Sequence, residues 1–317
     1  MTTEPPSFET LSLRGITKSY RGQRAAANDA ITLDLEPGEL VALIGHNGAG
    51  KSTLLNQIAG VTRPDTGSVS LGHTRLDTNS KRARQLTSVM PQLHAPLTGV
   101  TPRQALTSIA RLRGLQPSQS KSATDGLLRA LNIEAWSDTA GQNLSGGLRR
   151  LTSYGMAVVA PPGVLLIDEP TNDVDPVRRP LIWRDLRRLA HAGHIVVVVT
   201  HNLLEVERHA DRCVVLQRGK IIEDSTPQEI ATRAGETTLT VYGYRGSKAP
   251  SSQPTALWRT FDEASSTLRM ALSSAHVSEA TTWVLDTLRD ELADSYALAP
   301  ASLETLYEGI TSDANGE

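Results

Sequence analysis

The chain has 317 residues, 39% of them hydrophobic and 21% charged, and its 32 Lys and Arg against 34 Asp and Glu leave a formal net charge of −2. Such a chain is long enough for one large domain and a smaller piece; the composition excludes wholesale disorder and offers no global charge on which nucleic acid would gather. The lone cysteine, Cys213, has no partner for an internal disulfide, and its strand-like surroundings predict a buried, inert thiol in a reducing compartment.

Residues Met1 to Ser7 carry Glu4 and Pro5-Pro6 but no apolar core of leader length, so a loose tail is expected there. No window approaches the roughly 18–20 apolar residues that crossing a bilayer requires. A membrane role is therefore expected only through a partner.

Alternating apolar positions predict a strand between Phe8 and Tyr20 (Leu11, Leu13, Ile16) and another over Ala30 to Leu35. Pro37-Gly38 turns the chain into the apolar run Leu40 to Ile44. Directly after that run stands Gly45-His46-Asn47-Gly48-Ala49-Gly50-Lys51-Ser52-Thr53. It fits G-x-x-x-x-G-K-[ST], a phosphate-binding loop. Backbone N–H groups must curl inward around phosphate oxygens, which several residues without a bulky Cβ permit. The helix expected to follow, to Ile58, points its dipole and first N–H groups at an anion. Lys51 would reach the β- and γ-phosphates, and the Ser52 hydroxyl would ligate Mg²⁺.

A turn at Arg63 to Gly67 and a short strand, Ser68 to Leu71, come next. From about 77 to 160 a mostly helical insertion is predicted, its clearest helix opened by Thr101 as N-cap and Pro102 at the first helical position. Val164 to Ile167 then reads as a fully buried strand ending at two carboxylates, Asp168 and Glu169. Ile195 to Val199 is a second such strand, ending at Thr200-His201, with a covering helix between them (Leu181, Trp183, Leu186, Leu189). Strand, helix, strand argues a parallel crossover, so the acidic residues and His201 fall at the carboxyl ends of strands, where open α/β sheets bind ligands. Residues 212–223 read as a hairpin and Thr226 to Glu229 as a capped helix start. Beyond about Gly235 the texture changes: a strand over Thr237 to Tyr244, a Ser, Pro and Gly stretch over Gly246 to Pro254, and a helical stripe of Ala280, Val284, Leu288 and Leu292.

Leu144-Ser145-Gly146-Gly147-Leu148-Arg149-Arg150 precedes the Asp168-Glu169 strand. With the phosphate loop upstream and His201 downstream, residues from about Phe8 to Ala234 resemble an ATP-binding cassette (ABC) ATPase. The resemblance implies an α/β P-loop NTPase fold of ABC type, a mixed sheet core plus a helical subdomain. To it we add a small C-terminal α+β accessory domain over 235–317.

The same resemblance implies roles. Tyr20 would stack on adenine. Gln92, in Met90-Pro91-Gln92, would touch Mg²⁺ and the attacking water near the docking place of the membrane partner. Asp168 would hold Mg²⁺ through its water shell, Glu169 would polarise the attacking water, and His201 would bond the γ-phosphate and steady Glu169. Ser145, Gly146 and Gly147 would face the ATP of a second copy across a head-to-tail dimer, and Asp175 would link the two nucleotide sites across it. Adjacent carboxylates at a strand end are poor structural choices, since they repel and lose hydration unless a cation or positive groups compensate.

This sequence departs from the family pattern at Leu148, at Asn172-Asp173-Val174 and at His46, and none of these removes a catalytic group. The closing segment from Pro300 to Thr311 resembles that of ATP-binding subunits of bacterial drug and antibiotic exporters. The resemblance thus implies a cytoplasmic, peripheral ATPase at the inner face of the cell membrane, using ATP and Mg²⁺. Its partners would be a second ATP-binding subunit and a polytopic membrane permease, not nucleic acid. Two alternatives stand beside it: an importer ATPase with a regulatory C-terminal domain, and a non-transport cassette acting on ribosomes or nucleic acid.

Overall fold

The computed structural model describes residues 9–22, 25–93, 97–233, 237–245 and 254–300. The expected tail over 1–7, most of the 246–254 stretch and the closing segment beyond Pro300 lie outside the described residues. The chain divides into two compact units, Met1–His201 with His209–Asp224, and Asn202–Arg208 with Ser225–Glu317.

The strands of the first unit are β1 (Leu11–Lys18), β2 (Asn28–Leu35), β3 (Leu40–Ile44), β4 (Thr66–Leu71), β5 (Thr74–Arg75), β6 (Thr87–Met90), β7 (Val164–Asp168), β8 (Ile195–Val199), β9 (Arg212–Gln217) and β10 (Lys220–Ser225). Its helices are α1 (Lys51–Ile58), α2 (Ser80–Leu86), α3 (Pro102–Leu112), α4 (Pro117–Ala130), α5 (Gly146–Val158) and α6 (Arg179–His191).

Two sheets result, one ordered β2-β1-β4-β5 and the other β10-β9-β3-β8-β7-β6. In the larger sheet β6, β7, β8, β3 and β9 pair in parallel. Every residue of β3, β7 and β8 is buried, the pattern of strands covered on both faces, which is why these segments read as unbroken apolar runs. Alternation splits each strand between two cores. Val164 and Leu166 join β1, β2, β4 and α1 on one side, while Leu165 and Ile167 join α5 and α6 on the other. A one-residue slip in register would exchange the two sets, so the register is fixed from both faces.

Thr101 caps α3 as expected, its hydroxyl accepting from Gln104 N–H while the Gln104 side chain accepts from Thr101 N–H. One segment of the expected helical insertion is not helical: Thr87–Met90 is β6, the edge strand paired with β7. Its Val89 and Met90 are apolar, but four residues are too few for periodicity to separate a strand from a helix. The strand delivers Gln92 to the carboxyl ends of the parallel strands.

In the second unit β11 (Thr237–Tyr242), β12 (Trp258–Asp262), β13 (Thr267–Leu272) and β14 (Ser295–Pro300) form an antiparallel sheet ordered β12-β13-β11-β14. Helix α7 (Val277–Arg289) packs Ala280, Trp283 and Val284 against Leu239, Val241 and Met270. Leu292, expected on the same helical stripe, lies beyond the helix end, where Leu292 N–H bonds the Thr287 carbonyl. The unit is α+β in character.

Leu166 is fully buried in the first core, whereas Leu112 at the end of α3 is 83% exposed. Leu166→Ala is expected to cost about 2–5 kcal/mol and Leu112→Ala less than about 0.5 kcal/mol, measured by urea unfolding.

Candidate active site

Strand β3 carries the chain into the phosphate loop, and the loop's geometry needs its glycines. Gly50 sits at φ +107°, and a Cβ there would run into the Ala27 carbonyl. Gly50 is also the N-cap of α1 and offers no side-chain cap, so the first N–H groups of the helix await an acceptor. An anion supplies one. Lys51 Nζ donates to the carbonyls of Gly45 (2.6 Å) and His46 (3.0 Å), which folds the ammonium back over the loop. Burial lowers the Lys51 pKa, while the charges of Glu169 and Asp168 pull it the other way. A phosphate placed here would meet an ammonium already partly stripped of water.

At the end of β7 the two carboxylates behave differently. Asp168 is 8% exposed, and its pKa is pushed from 3.8 up to about 6, first by burial and then by the adjacent Glu169; Arg150 and Lys51 pull it down. Glu169 adopts φ +51°, and its N–H bonds the Val199 carbonyl at 2.8 Å, tying the turn to the end of β8. One carboxylate oxygen, Oε1, lies 2.9 Å from His201 Nδ1. The other, Oε2, is buried without a hydrogen-bond partner among the described residues. A buried, unpartnered carboxylate oxygen is costly, and a water or a protonated ligand group would satisfy it.

A cavity of about 500 Å³ brings these groups together. It is lined by Tyr20, Asn47, Gly48, Gly50, Lys51, Ser52, Thr53, Gln92, Asp168 and Glu169, along with Ala25 to Ala27, Val199 and Arg218. Tyr20 is 39% exposed at its mouth, with Lys18 Nζ 5.7 Å from the ring centroid. The hydroxyl of Ser52, the carboxylate of Asp168 and the amide of Gln92 are oxygen donors suited to Mg²⁺. Among the described residues no three His, Cys, Asp or Glu side chains converge as a metal site, so Mg²⁺ held here would take its remaining oxygens from phosphate and water. The donor set and the unpartnered Glu169 oxygen fit that ion together with a triphosphate.

The other expected site residues lie elsewhere. Gly45, His46 and Ala49 belong to the loop without lining the cavity, and His201 reaches it only through Glu169. Ser145 caps α5, its hydroxyl accepting from Leu148 N–H at 3.3 Å. Gly147 packs on the Asp173 backbone, and a Cβ there would stand 2.5 Å from that carbonyl oxygen. The carboxylate of Asp175 accepts from Val177 N–H and Arg178 N–H, both at 3.1 Å, and pairs with the Arg178 guanidinium at 2.8 Å. The Arg178 hydrogen bond is the main reason its pKa is lowered. Arg178 in turn covers the Trp136 ring, 4.9 Å from its centroid.

Sequence reasoning missed two residues of the site. Arg218, in the turn between β9 and β10, lines the cavity because Gly219 N–H bonds the Ala49 carbonyl at 3.0 Å and seats that turn on the phosphate loop. Only its place between two strand-like runs could have signalled it. The sequence marks Arg150 only as part of the signature motif, yet it is 1% exposed beside both carboxylates. Cys213 is fully buried in β9 with its thiol pushed up to about 12 by burial, the inert group expected.

A parallel sheet with a glycine loop and helix after one strand, and an acidic pair ending its neighbour's neighbour, defines a phosphate-loop nucleoside triphosphatase. The family model described as ABC transporter matches residues 28–172. Nod factor export ATP-binding protein I of Burkholderia pseudomallei (strain 1710b) is 35% identical over 216 residues, covering 68% of this chain and 71% of that one. Among solved structures, one described as an ATP binding subunit of an ABC transporter is 26% identical with a TM-score of 0.65, covering 70% of this chain and 92% of that one. A dimeric post-hydrolysis state of the ATP-binding cassette MJ0796 bound to ADP and Pi is 23% identical with a TM-score of 0.62, covering 68% and 98%, a likeness of fold. The chain belongs to the ABC transporter family, as an ATP-binding subunit with ATPase activity.

Because the folded Asp168 binds its proton more tightly than the unfolded chain does, stability falls as pH rises from 3.8 to about 6, and above that the penalty is complete. In nucleotide-free protein Asp168→Asn is therefore expected to raise stability by roughly 3 kcal/mol at pH 8. The gain should shrink as pH falls through 6 toward 4, which denaturant titrations at pH 8, 6 and 4.5 would follow.

Proposed function

We propose that the chain is the ATP-hydrolysing subunit of an exporter, working as a pair of copies that enclose two ATP molecules and drive a separate polytopic membrane subunit. The observation that carries the catalytic part is the cavity itself, where Lys51, Asp168 and the unpartnered Oε2 of Glu169 meet. Tyr20 takes the adenine face, and the phosphate loop with the α1 N-terminus cradles the phosphates. Ser52, Asp168 and Gln92 would hold Mg²⁺, which when bound would offset charge on the phosphate oxygens. Glu169 Oε2 orients the attacking water, and His201 fixes the other oxygen of that carboxylate. Positioning and fixed charge supply most of the rate in such phosphoryl transfers.

The pairing rests on what the signature residues do not do. Ser145, Gly146 and Gly147 line no part of their own cavity, so they are assigned to the nucleotide of the second copy. A structural neighbour described as a dimer with ADP and Pi supports that assignment. Export is supported by the relative named as a Nod factor export ATP-binding protein, and by the closing segment's resemblance to exporter subunits. Among the described residues no helix is long and apolar enough to cross a membrane, so the membrane path is assigned to the partner subunit. The proposed boundaries are a cassette over about 8–234, with its helical subdomain within 77–160, and an accessory domain over 235–317. The proposed location is the cytoplasmic face of the cell membrane.

Glu169→Gln is expected to bind Mg·ATP normally, lose at least about 100-fold in turnover and accumulate as a dimer on gel filtration with ATP. Wild-type turnover in that variant would remove Glu169 from the mechanism. Lys51→Ala should weaken ATP binding at least about tenfold by calorimetry. Affinity purification from membranes should bring down a polytopic subunit; recovery of ribosomal RNA instead would overturn the transport reading.

A further inference from the structure

Arg150 lies near the start of α5, on the helix that begins with Gly146 and is capped by Ser145, and only 1% of it is exposed. Its guanidinium makes no direct ion pair among the hydrogen bonds it forms. Nε donates to the Glu169 carbonyl at 3.0 Å, Nη1 to the carbonyls of Pro91 (3.2 Å) and Gln92, and Nη2 to the carbonyls of Asp168 and Glu169. Every acceptor is backbone, and together they come from the two loops that carry Gln92 and the acidic pair. Burial pulls its pKa down, and the nearby charges of Asp168, Glu169 and Asp173 hold the cation in place.

Sinking a guanidinium this deep is costly, and an apolar side chain of similar volume would fill the space at less desolvation cost. What that side chain could not do is gather carbonyls from two loops onto one helix. A planar fork with fixed donor directions sets the relative position of its acceptors, which a flexible ammonium does not. Glu169 makes this position consequential. Its φ of +51° is an uncommon backbone state, its carbonyl is held by two arms of the fork, and its Oε2 is the buried oxygen without a partner. Rotation of that backbone would swing the carboxylate, and an error of about 1 Å at a reacting group costs on the order of 100-fold in rate.

We propose that Arg150 is a positioning residue for hydrolysis: it locks the backbone of Gln92 and Glu169 to the signature helix α5, so that both side chains reach working geometry only when that helix does. The proposal rests on the catalytic reading above. Movement of Ser145, Gly146 and Gly147 onto the other copy's nucleotide would then pull, through one side chain, on both groups that address the attacking water. Most of the nucleotide affinity comes from the phosphate loop and Tyr20, with which Arg150 forms none of its hydrogen bonds.

The test uses the purified full chain with Mg·ATP, comparing wild type with Arg150→Lys and Arg150→Met. Expected are a fall in kcat of about 5- to 10-fold for the lysine variant and at least about 30-fold for the methionine variant, with KM and calorimetric ATP affinity changed less than about threefold. In a Gln92→Ala background the Arg150→Lys loss should shrink to about two- to fourfold, because the share that runs through Gln92 is gone while Glu169 still depends on the guanidinium. A folded Arg150→Lys protein with wild-type kcat overturns the proposal, as does a loss carried by KM, or equal losses with and without Gln92. If Arg150→Met does not fold, the lysine variant and its double-mutant cycle decide. A wild-type chain that neither binds nor hydrolyses ATP would instead sink the catalytic reading, and this inference with it.

Discussion

Two carboxylates side by side at the end of a buried strand are the constraint around which the first unit is built. Asp168 and Glu169 are 8% and 7% exposed, close enough that the charge of Glu169 adds to the cost of ionising Asp168. The fold answers with positive charge from two directions, Lys51 from the phosphate loop and Arg150 from α5. It does so without full neutralisation, which leaves Asp168 poised above its ordinary range and one Glu169 oxygen unmatched. A site in that condition suits a cation and ordered water, such as a triphosphate brings with it. The chemistry and the instability are the same feature seen with and without ligand.

The sheet makes that tension affordable. Strands β3, β7 and β8 are buried along their whole length between two apolar cores, so the loops that leave their carboxyl ends start from fixed points. The Glu169 turn is pinned to Val199 and the β9-β10 turn to Ala49, and both anchors use backbone groups. Side chains at the cavity are thus left for ligand. Near the signature, Asp175 and Arg178 close a local network that also covers Trp136, which joins the loop after Glu169 to the helical segment.

Much of this could be read from the residues. Unbroken apolar runs identified the buried parallel strands, and the glycine loop, the acidic pair and His201 marked the site in order, because each needs a residue type that packing alone would not choose. Thr101-Pro102 gave a helix start that the structure keeps. The misses have physical reasons. Strand β6 is too short for periodicity to show, and Leu292 continues a helical spacing past the point where the helix ends. The strands β12 to β14 of the second unit are not legible in the sequence: the described side chains of β12 and β14 are exposed or half-buried, Phe261 and Leu298 among them though apolar, while β13 is buried along nearly its whole length, so none shows the alternation that marks a half-buried strand. Arg150 and Arg218 were hidden for a different reason: an arginine in a sequence carries no sign of whether it is solvated or enclosed, and only tertiary packing decides.

The thiol of Cys213 offers a practical corollary. As the sole sulfhydryl in the polypeptide, fully buried in β9 and with its pKa pushed up by that burial, it is shielded from alkylating reagents and from oxidants in the native state. The natural molecule is thereby a ready background for spectroscopic labelling: a fluorophore or spin probe attached to an engineered surface cysteine would report from that place alone.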